Sequence, residues 1–273
     1  MPPAALAIAL GAAVIHSLWN LVIARSSDNQ ATTAVAIFAG TLVVMPFAVW
    51  AWNIQSEAWP WIVASSVLEL LYFYLLTTAY RRAEMSLIYP IARGMAPVIV
   101  LIVSIVFGVS FTPLQAAGVA LVGFGIVLVR GLRGTARWTD VLLALTVATS
   151  IAGYTLVDKQ GMRYADPVTY LFLILAAPAI GGVLFVAARG GWQRVRAAIH
   201  WQAIAAGIGT SVTYTLVLFA LSLAPAASVA AVREVSVVFA VFLGAVFLKE
   251  PVGPGRVVGA LVVVSGVGLV VLG

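Results

Sequence analysis

Four charged side chains sit inside long stretches that are otherwise apolar: Glu69, Arg93, Arg233 and Glu234. A charge at the centre of a bilayer costs about 2.5–3.5 kcal/mol on insertion scales, so such a residue faces a partner or a wet cavity. Two acids and two arginines sum to zero, which points to pairing. Arg93 lies in "YPIARGMAP" (89–97), where Tyr89, Arg93 and Pro97 recur at i, i+4 and i+8 on one helical face. Pro90 and Pro97 each remove a backbone donor and are expected to loosen the helix on either side of Arg93. Two readings stand side by side: Arg93 and its loosened turn line a path through the membrane, or Arg93 bridges to Glu69 and locks two helices together.

Other polar side chains share helical faces with these charges. Glu69 falls on one face with Tyr72, Phe73, Leu76 and Tyr80, where it could bind a cationic group, carry a proton or act as the counter-ion of Arg93. Glu234 adjoins Arg233 but points about 100° away, toward a different helix. His16, Trp19 and Asn20 lie at i, i+3 and i+4 in the first apolar run. The corresponding stretch later in the chain places Ser150, Tyr154 and Asp158 on one face, so the two runs read as walls of one cavity. Packing or hydrogen bonding to a neighbouring helix is the other reading of His16, Trp19, Asn20 and Tyr154. Asp158 is close to a helix end and beside Lys159, which favours a local ion pair. Thr210, Thr213 and Tyr214 add hydroxyls on a further face.

The elements that position these residues follow from composition. The chain of 273 residues is 63% hydrophobic and 9% charged, with a mean hydropathy of +1.11. A soluble domain is about a quarter charged, so this is an all-α polytopic membrane protein. The net charge of +6 comes from basic residues in short loops, not from a patch with interleaved aromatics, so it reads as topology and not as nucleic-acid binding. With no cysteine and only His16 and His200, disulfides, thiol chemistry and a clustered metal site are excluded, and no cofactor is expected. The N-terminus lacks the basic region of a signal peptide and reads as a retained first span. No Walker A sequence is present. The nine acids are scattered, without the cluster that a membrane-embedded enzyme would need.

A helix needs about 20 mostly apolar residues to cross a bilayer. Ten runs qualify: 4–24, 32–52, 59–80, 85–107, 113–129, 140–158, 167–188, 202–223, 226–248 and 255–272. Ten spans put Arg25, Arg81, Arg82, Arg130, Arg133, Arg137, Arg189, Arg194, Arg196, Lys249 and Arg256 on one side, against Lys159 and Arg163 on the other. That bias places the first side in the cytoplasm and both termini outside, with the bacterial inner (plasma) membrane as the expected location.

The spans fall into two copies. "RGMAPVIVLIVSIVFG" (93–108) lies over "REVSVVFAVFLGAVFL" (233–248), so Arg93 matches Arg233, and Tyr74 lies over Tyr214 in the same register. Further on, Pro113, Gly118 and Gly125 match Pro254, Gly259 and Gly266. The expected division is 1–131 and 138–273. Five helices per copy is an odd number, so the second copy crosses the membrane in the opposite sense, the inverted-repeat construction of secondary transporters. The glycine-rich fifth and tenth spans read as scaffold or dimer contacts.

"HSLWNLVIARS" (16–26), "LYFYLLTTAYRRAEMSLIYPIARGMAPVIVLIVSIVFG" (71–108), "PLQAAGVALVGFGIVLV" (113–129), "YTLVDKQG" (154–161) and "FLKEPVGPGRVVGALVVVSGVGLV" (247–270) resemble the EamA-type branch of the drug/metabolite transporter superfamily. The resemblance covers essentially the whole chain. It implies movement of small metabolites or drugs across the membrane, often outward. The family's usual Gly-Glu pair at the turn between the fourth and fifth spans is missing from "FGVSFTP", while the second copy keeps Glu250 in "LKEP".

The expectation is therefore a secondary active exporter of a small metabolite, such as an amino acid or related amphiphilic solute. It would work by alternating access through a central cavity lined by spans one, three, four, six, eight and nine. The energy would come from an ion gradient, a proton among the candidates, or from the solute's own gradient. Its partners would be the solute and the lipid bilayer, the chain being a monomer or homodimer. Export of organic cations or drugs, and a non-transporting receptor or scaffold, are the alternatives. The residues expected at the site are Glu69, Arg93, Arg233, His16, Trp19, Asn20, Tyr72, Tyr89, Tyr154, Tyr214 and Glu234.

Overall fold

In the computed structural model the described residues are 1–82, 85–130, 138–247 and 253–273, with side chains described for all of these except 77, 79–82, 85–90, 130 and 244. Backbone polar groups have no water to bond in lipid, so spanning segments must satisfy them internally. The described elements accordingly are helices, apart from one isolated bridge at the surface. They are α1 (Pro3–Ala24), α2 (Asn29–Trp50), a single 3₁₀ turn (Ser56–Ala58), α3 (Trp59–Arg82), α4 (Met85–Val106), α5 (Pro113–Arg130) and α6 (Trp138–Gly161). Then come α7 (Pro167–Ala197), α8 (Trp201–Leu223), α9 (Ala226–Arg233), α10 (Val235–Phe247) and α11 (Pro254–Leu272). Eight stretches are long and apolar enough to span, and shorter apolar runs in α4 and α5 bring the number to ten. The ninth span is the pair α9–α10, interrupted at Glu234.

Local chemistry sets the helix ends. Proline at the first helical position opens α1, α7 and α11, where its missing N–H is no loss. Asp28 caps α2 by accepting from the Ala31 N–H at 3.0 Å, and Asp166 caps α7 by accepting from Val168 at 2.8 Å. At the turn that lacks the Gly-Glu pair, Gly108 leaves α4 with φ +82°. Thr112 and Gln115 then exchange backbone-to-side-chain bonds of 3.1 Å, a capping box that starts α5 without an acid. Glu250 lies outside the described residues.

Two features differ from the sequence expectation. α4 runs as one helix through Pro90 and Pro97, so the break flanking a midplane charge occurs in the second repeat, at Glu234, and not beside Arg93. α7 continues past 188 to Ala197, turning at Gly191, whose φ of +77° and ψ of 161° suit glycine alone.

The helix contacts follow a two-fold pattern, with α1 to α5 corresponding to α6, α7, α8, α9–α10 and α11. α1 packs on α8 as α6 packs on α3, and α4 meets α6 as α9 and α10 meet α1. Three elements pack on their own counterparts: α2 on α7, α5 on α11 and α4 on α9. The α5–α11 crossing is as close as backbones allow, since a Cβ on Gly118 would lie 2.6 Å from the Gly266 carbonyl oxygen, and one on Gly125 2.9 Å from that of Gly259. This crossing lies within the chain, so these glycines are internal scaffold.

Connections gather by side. The 51–58 and 162–166 connections join through an Ile54–Ala165 antiparallel bridge, with Gln55 N–H donating to Tyr164 and Asp166 N–H to Asn53, both at 2.9 Å. At the opposite face Arg194 pairs with Asp28 and also donates to Gln30 at 3.0 Å, while Arg25 reaches the Phe247 carbonyl at 3.2 Å. The Arg194 guanidinium bonded to Asp28 holds that carboxyl below the usual carboxylate range. The side chains of Arg81, Arg82, Arg130, Arg133, Arg137 and Lys249 lie outside the described residues.

Candidate functional site

The midplane charges converge where the two repeats meet. Arg93 of α4 and Glu234, between α9 and α10, form an ion pair through Nη2 and Oε1 at 2.9 Å. Both are buried, at 8% and 4% exposure. Glu69 is therefore not the counter-ion of Arg93. A helical face read from sequence says where a side chain points along its own helix, but not which helix it meets.

Glu69 belongs to a second group. The Tyr214 hydroxyl of α8 lies 2.9 Å from Glu69 Oε1 and 2.6 Å from Asp158 Oδ2. Asp158 Oδ1 also accepts from Ser65 at 2.6 Å and from Tyr170 at 3.2 Å. Asp158 is fully buried, and the ion pair expected with Lys159 is not made. Lys159 turns away and donates to the Leu221 carbonyl at 2.5 Å. Consecutive helical residues project about 100° apart, which separates Asp158, on the Ser150–Tyr154 face, from its neighbour. That shared face was the signal for Asp158. Ser65 and Tyr170 carried no comparable signal, because their roles depend on contacts among three helices.

Aromatic rings pack beside these two groups. Tyr72 and Tyr154 meet edge to face with centroids 6.0 Å apart, and Tyr154 and Tyr214 lie 6.4 Å apart. On α1, His16 and Trp19 stack edge to face at 4.8 Å. His16 is within electrostatic reach of Arg93 and Arg233. Asn20 instead turns to its own helix, donating to the His16 carbonyl at 2.7 Å. Ser150 ties α6 to α3 by donating to the Leu68 carbonyl at 3.0 Å. The side chain of Tyr89 lies outside the described residues.

Arg233, at the end of α9, is half-buried and within electrostatic reach of Glu69, Asp158, Glu234 and His16. Among the described residues it has no carboxylate within ion-pair distance. The Trp19 indole N–H and Glu234 Oε2 are buried without a hydrogen-bond partner among the described residues. The arrangement can thus offer a guanidinium to an anion, carboxylates to a cation, and ring faces to an apolar body. A crevice of about 490 Å³ between α2, α7 and α8 is lined by apolar side chains such as Leu42, Ile180 and Trp192, and carries no group for such chemistry. The described residues contain no cluster of His, Cys, Asp or Glu suited to a metal ion.

Comparison with known proteins agrees with this architecture. A solved crystal structure shares the fold, with a TM-score of 0.73 over 98% of this chain and 95% of its own at 16% identity. No curated protein matches the chain. The EamA-like transporter family matches twice, over residues 3–131 and again over 138–272. The chain, with ten spans in two inverted five-helix repeats, is a membrane transporter belonging to the EamA-like transporter family.

Proposed function

We propose that this transporter exports a small zwitterionic metabolite, of amino-acid type, by alternating access between its two repeats. The observation that carries the reading is Arg233, a half-buried guanidinium beside Glu69 and the tyrosines that has no ion-pair partner among the described residues. A guanidinium fork takes a carboxylate by two parallel hydrogen bonds. Glu69 lies within electrostatic reach of Arg233 and would receive the ammonium, with Tyr72 and Tyr154 against the solute's apolar body. Arg93, already neutralised by Glu234, would hold α4 against the ninth span and not contact the solute. The buried Trp19 N–H adds a donor for an occupied state. The basic loops favour the inner membrane of a bacterium with both termini outside.

A second reading is export of organic cations. It draws on the Glu69–Asp158 pair and the nearby ring faces, which attract cations when desolvated.

Current recorded from the purified chain in liposomes on a solid-supported membrane separates the two. Neutral amino acids, organic acids and organic cations are each applied with and without a pH gradient. A current for amino acids that is lost in both Arg233→Gln and Glu69→Gln is the expected result. A current for cations that survives Arg233→Gln overturns the zwitterion reading in favour of the second.

A further inference from the structure

The Tyr214 hydroxyl has one hydrogen and stands between two carboxylates, at 2.9 Å from Glu69 and 2.6 Å from Asp158. Both are hydrogen-bond distances, yet one hydrogen is donated once. With both acids ionised, one of the two contacts would set a phenol lone pair against a carboxylate oxygen. The geometry closes with one added proton: a carboxyl O–H donates to Tyr214, and Tyr214 donates to the other carboxylate. Asp158 already accepts from Ser65 and Tyr170, so it is the ionised member. Glu69 has no hydrogen bond other than that with Tyr214 among the described residues, so it carries the proton.

Charge balance leads independently to the same count. Arg93 and Glu234 cancel. Among the described residues what remains is Glu69 and Asp158 against Arg233, one negative charge too many for a buried cluster, and one proton removes it. Among the described residues the other titratable groups facing this pair are Tyr154 on α6, Tyr170 on α7, Tyr214 on α8 and Arg233 on α9. His16 on α1 lies toward the arginines instead.

We propose that Glu69 and Asp158 share a single exchangeable proton through Tyr214, in a site that joins α3 of the first repeat to α6 and α8 of the second. Releasing it breaks the Glu69 O–H bond and sends the proton to water, leaving two anions facing each other across the repeat interface. That contact then parts or takes up a cation. The inference deepens the transport reading by naming the proton as the coupling ion, and rests on that reading for its use though not for its existence.

Infrared spectra of the full chain in lipid nanodiscs, titrated across neutrality in H₂O and D₂O, test the site with no substrate present. The expected result is a carboxylic-acid carbonyl band at neutral pH that shifts on deuteration. It should vanish in Glu69→Gln and move in Tyr214→Phe, a variant that removes only the hydroxyl. Absence of the band in the native protein, or its persistence in both Glu69→Gln and Asp158→Asn, overturns the proposal. A band that behaves as expected while no solute moves in liposomes would refute the transport reading and leave the proton site standing.

Discussion

Arg93 and Glu234 meet across the interface of the two repeats at 2.9 Å, and Glu234 is the residue at which the ninth span breaks. The pair thus ties an unbroken helix to the interruption in its counterpart. Removing one member of a buried ion pair costs about 3–5 kcal/mol. Arg93→Met and Glu234→Gln are each expected to lose that much stability, and the double variant much less than the sum. Equilibrium unfolding in mixed micelles measures it, and simple additivity would show that the pair does not couple the repeats.

The helix crossings yield a contrast between glycines. Gly118→Ala must push α5 away from the Gly266 carbonyl, and overpacking of this kind costs about 1–3 kcal/mol. Gly11, inside α1, has open space where a Cβ would go, so Gly11→Ala is expected to gain about 0.5–1 kcal/mol from helix propensity alone. Thermal unfolding of both variants tests the pair, and equal shifts would contradict the close crossing.

Gly191→Ala isolates backbone strain, since nothing lies within 4 Å of the added carbon while φ is +77°. The expected loss is about 1–3 kcal/mol. Proteolysis at the end of α7 should accelerate in step, and an unchanged rate would mean that another residue sets the kink.

Much of this arrangement is legible in the sequence, and the exceptions share a cause. Hydrophobic run length located the ten spans to within a few residues, because the bilayer sets one length for all of them. The α9–α10 break escaped, as "AASVAAVREVSVVFAV" is apolar on both sides of Arg233 and Glu234 and holds no glycine or proline to mark a stop. The end of α7 escaped for the opposite reason: "RGGWQRVRA" has the composition of a loop yet stays helical apart from Gly191. At the site, the sequence singled out Glu69, Arg93, Arg233 and Glu234 as charges inside spans, but the bridge it offered for Arg93 was to Glu69 instead of Glu234, and it favoured Lys159 as the partner of Asp158. Partner choice depends on which helices adjoin, and one chain's periodicity carries no such information.

Asp158→Asn should slow transport about tenfold or more, since hydrogen bonds to a charged group are worth about 1.5–3 kcal/mol and this carboxylate accepts three. Lys159→Gln should leave turnover near the native rate. Uptake in liposomes decides, and the reverse order would restore the local ion pair as the significant contact.

Asp28 both caps α2 and pairs with Arg194. Its folded carboxyl lies below the ordinary value, so its contribution is fully present above the unfolded value and is lost as pH falls through the lowered one. Both partners are 31% exposed, and water limits the ion pair to about 0.2–1 kcal/mol. Asp28→Asn should cost that amount at neutral pH and progressively less in acid. Asp28→Ala should lose about a further 1 kcal/mol with the cap. A difference between the native protein and Asp28→Asn that grows in acid would contradict the assignment.

α2 is fastened to α7 at both faces, by Asp28–Arg194 at one and the Ile54–Ala165 bridge at the other, and α5 is fastened to α11 along its glycine crossing. An element that packs on its own repeat counterpart lies on the two-fold axis relating the repeats. These two seams therefore define one line, running in the plane of the membrane. Along that line the repeats are held at three separate levels, by an ion pair toward one face, a backbone bridge toward the other and a glycine-tight crossing between α5 and α11, so drawing the two halves straight apart would have to break all three together.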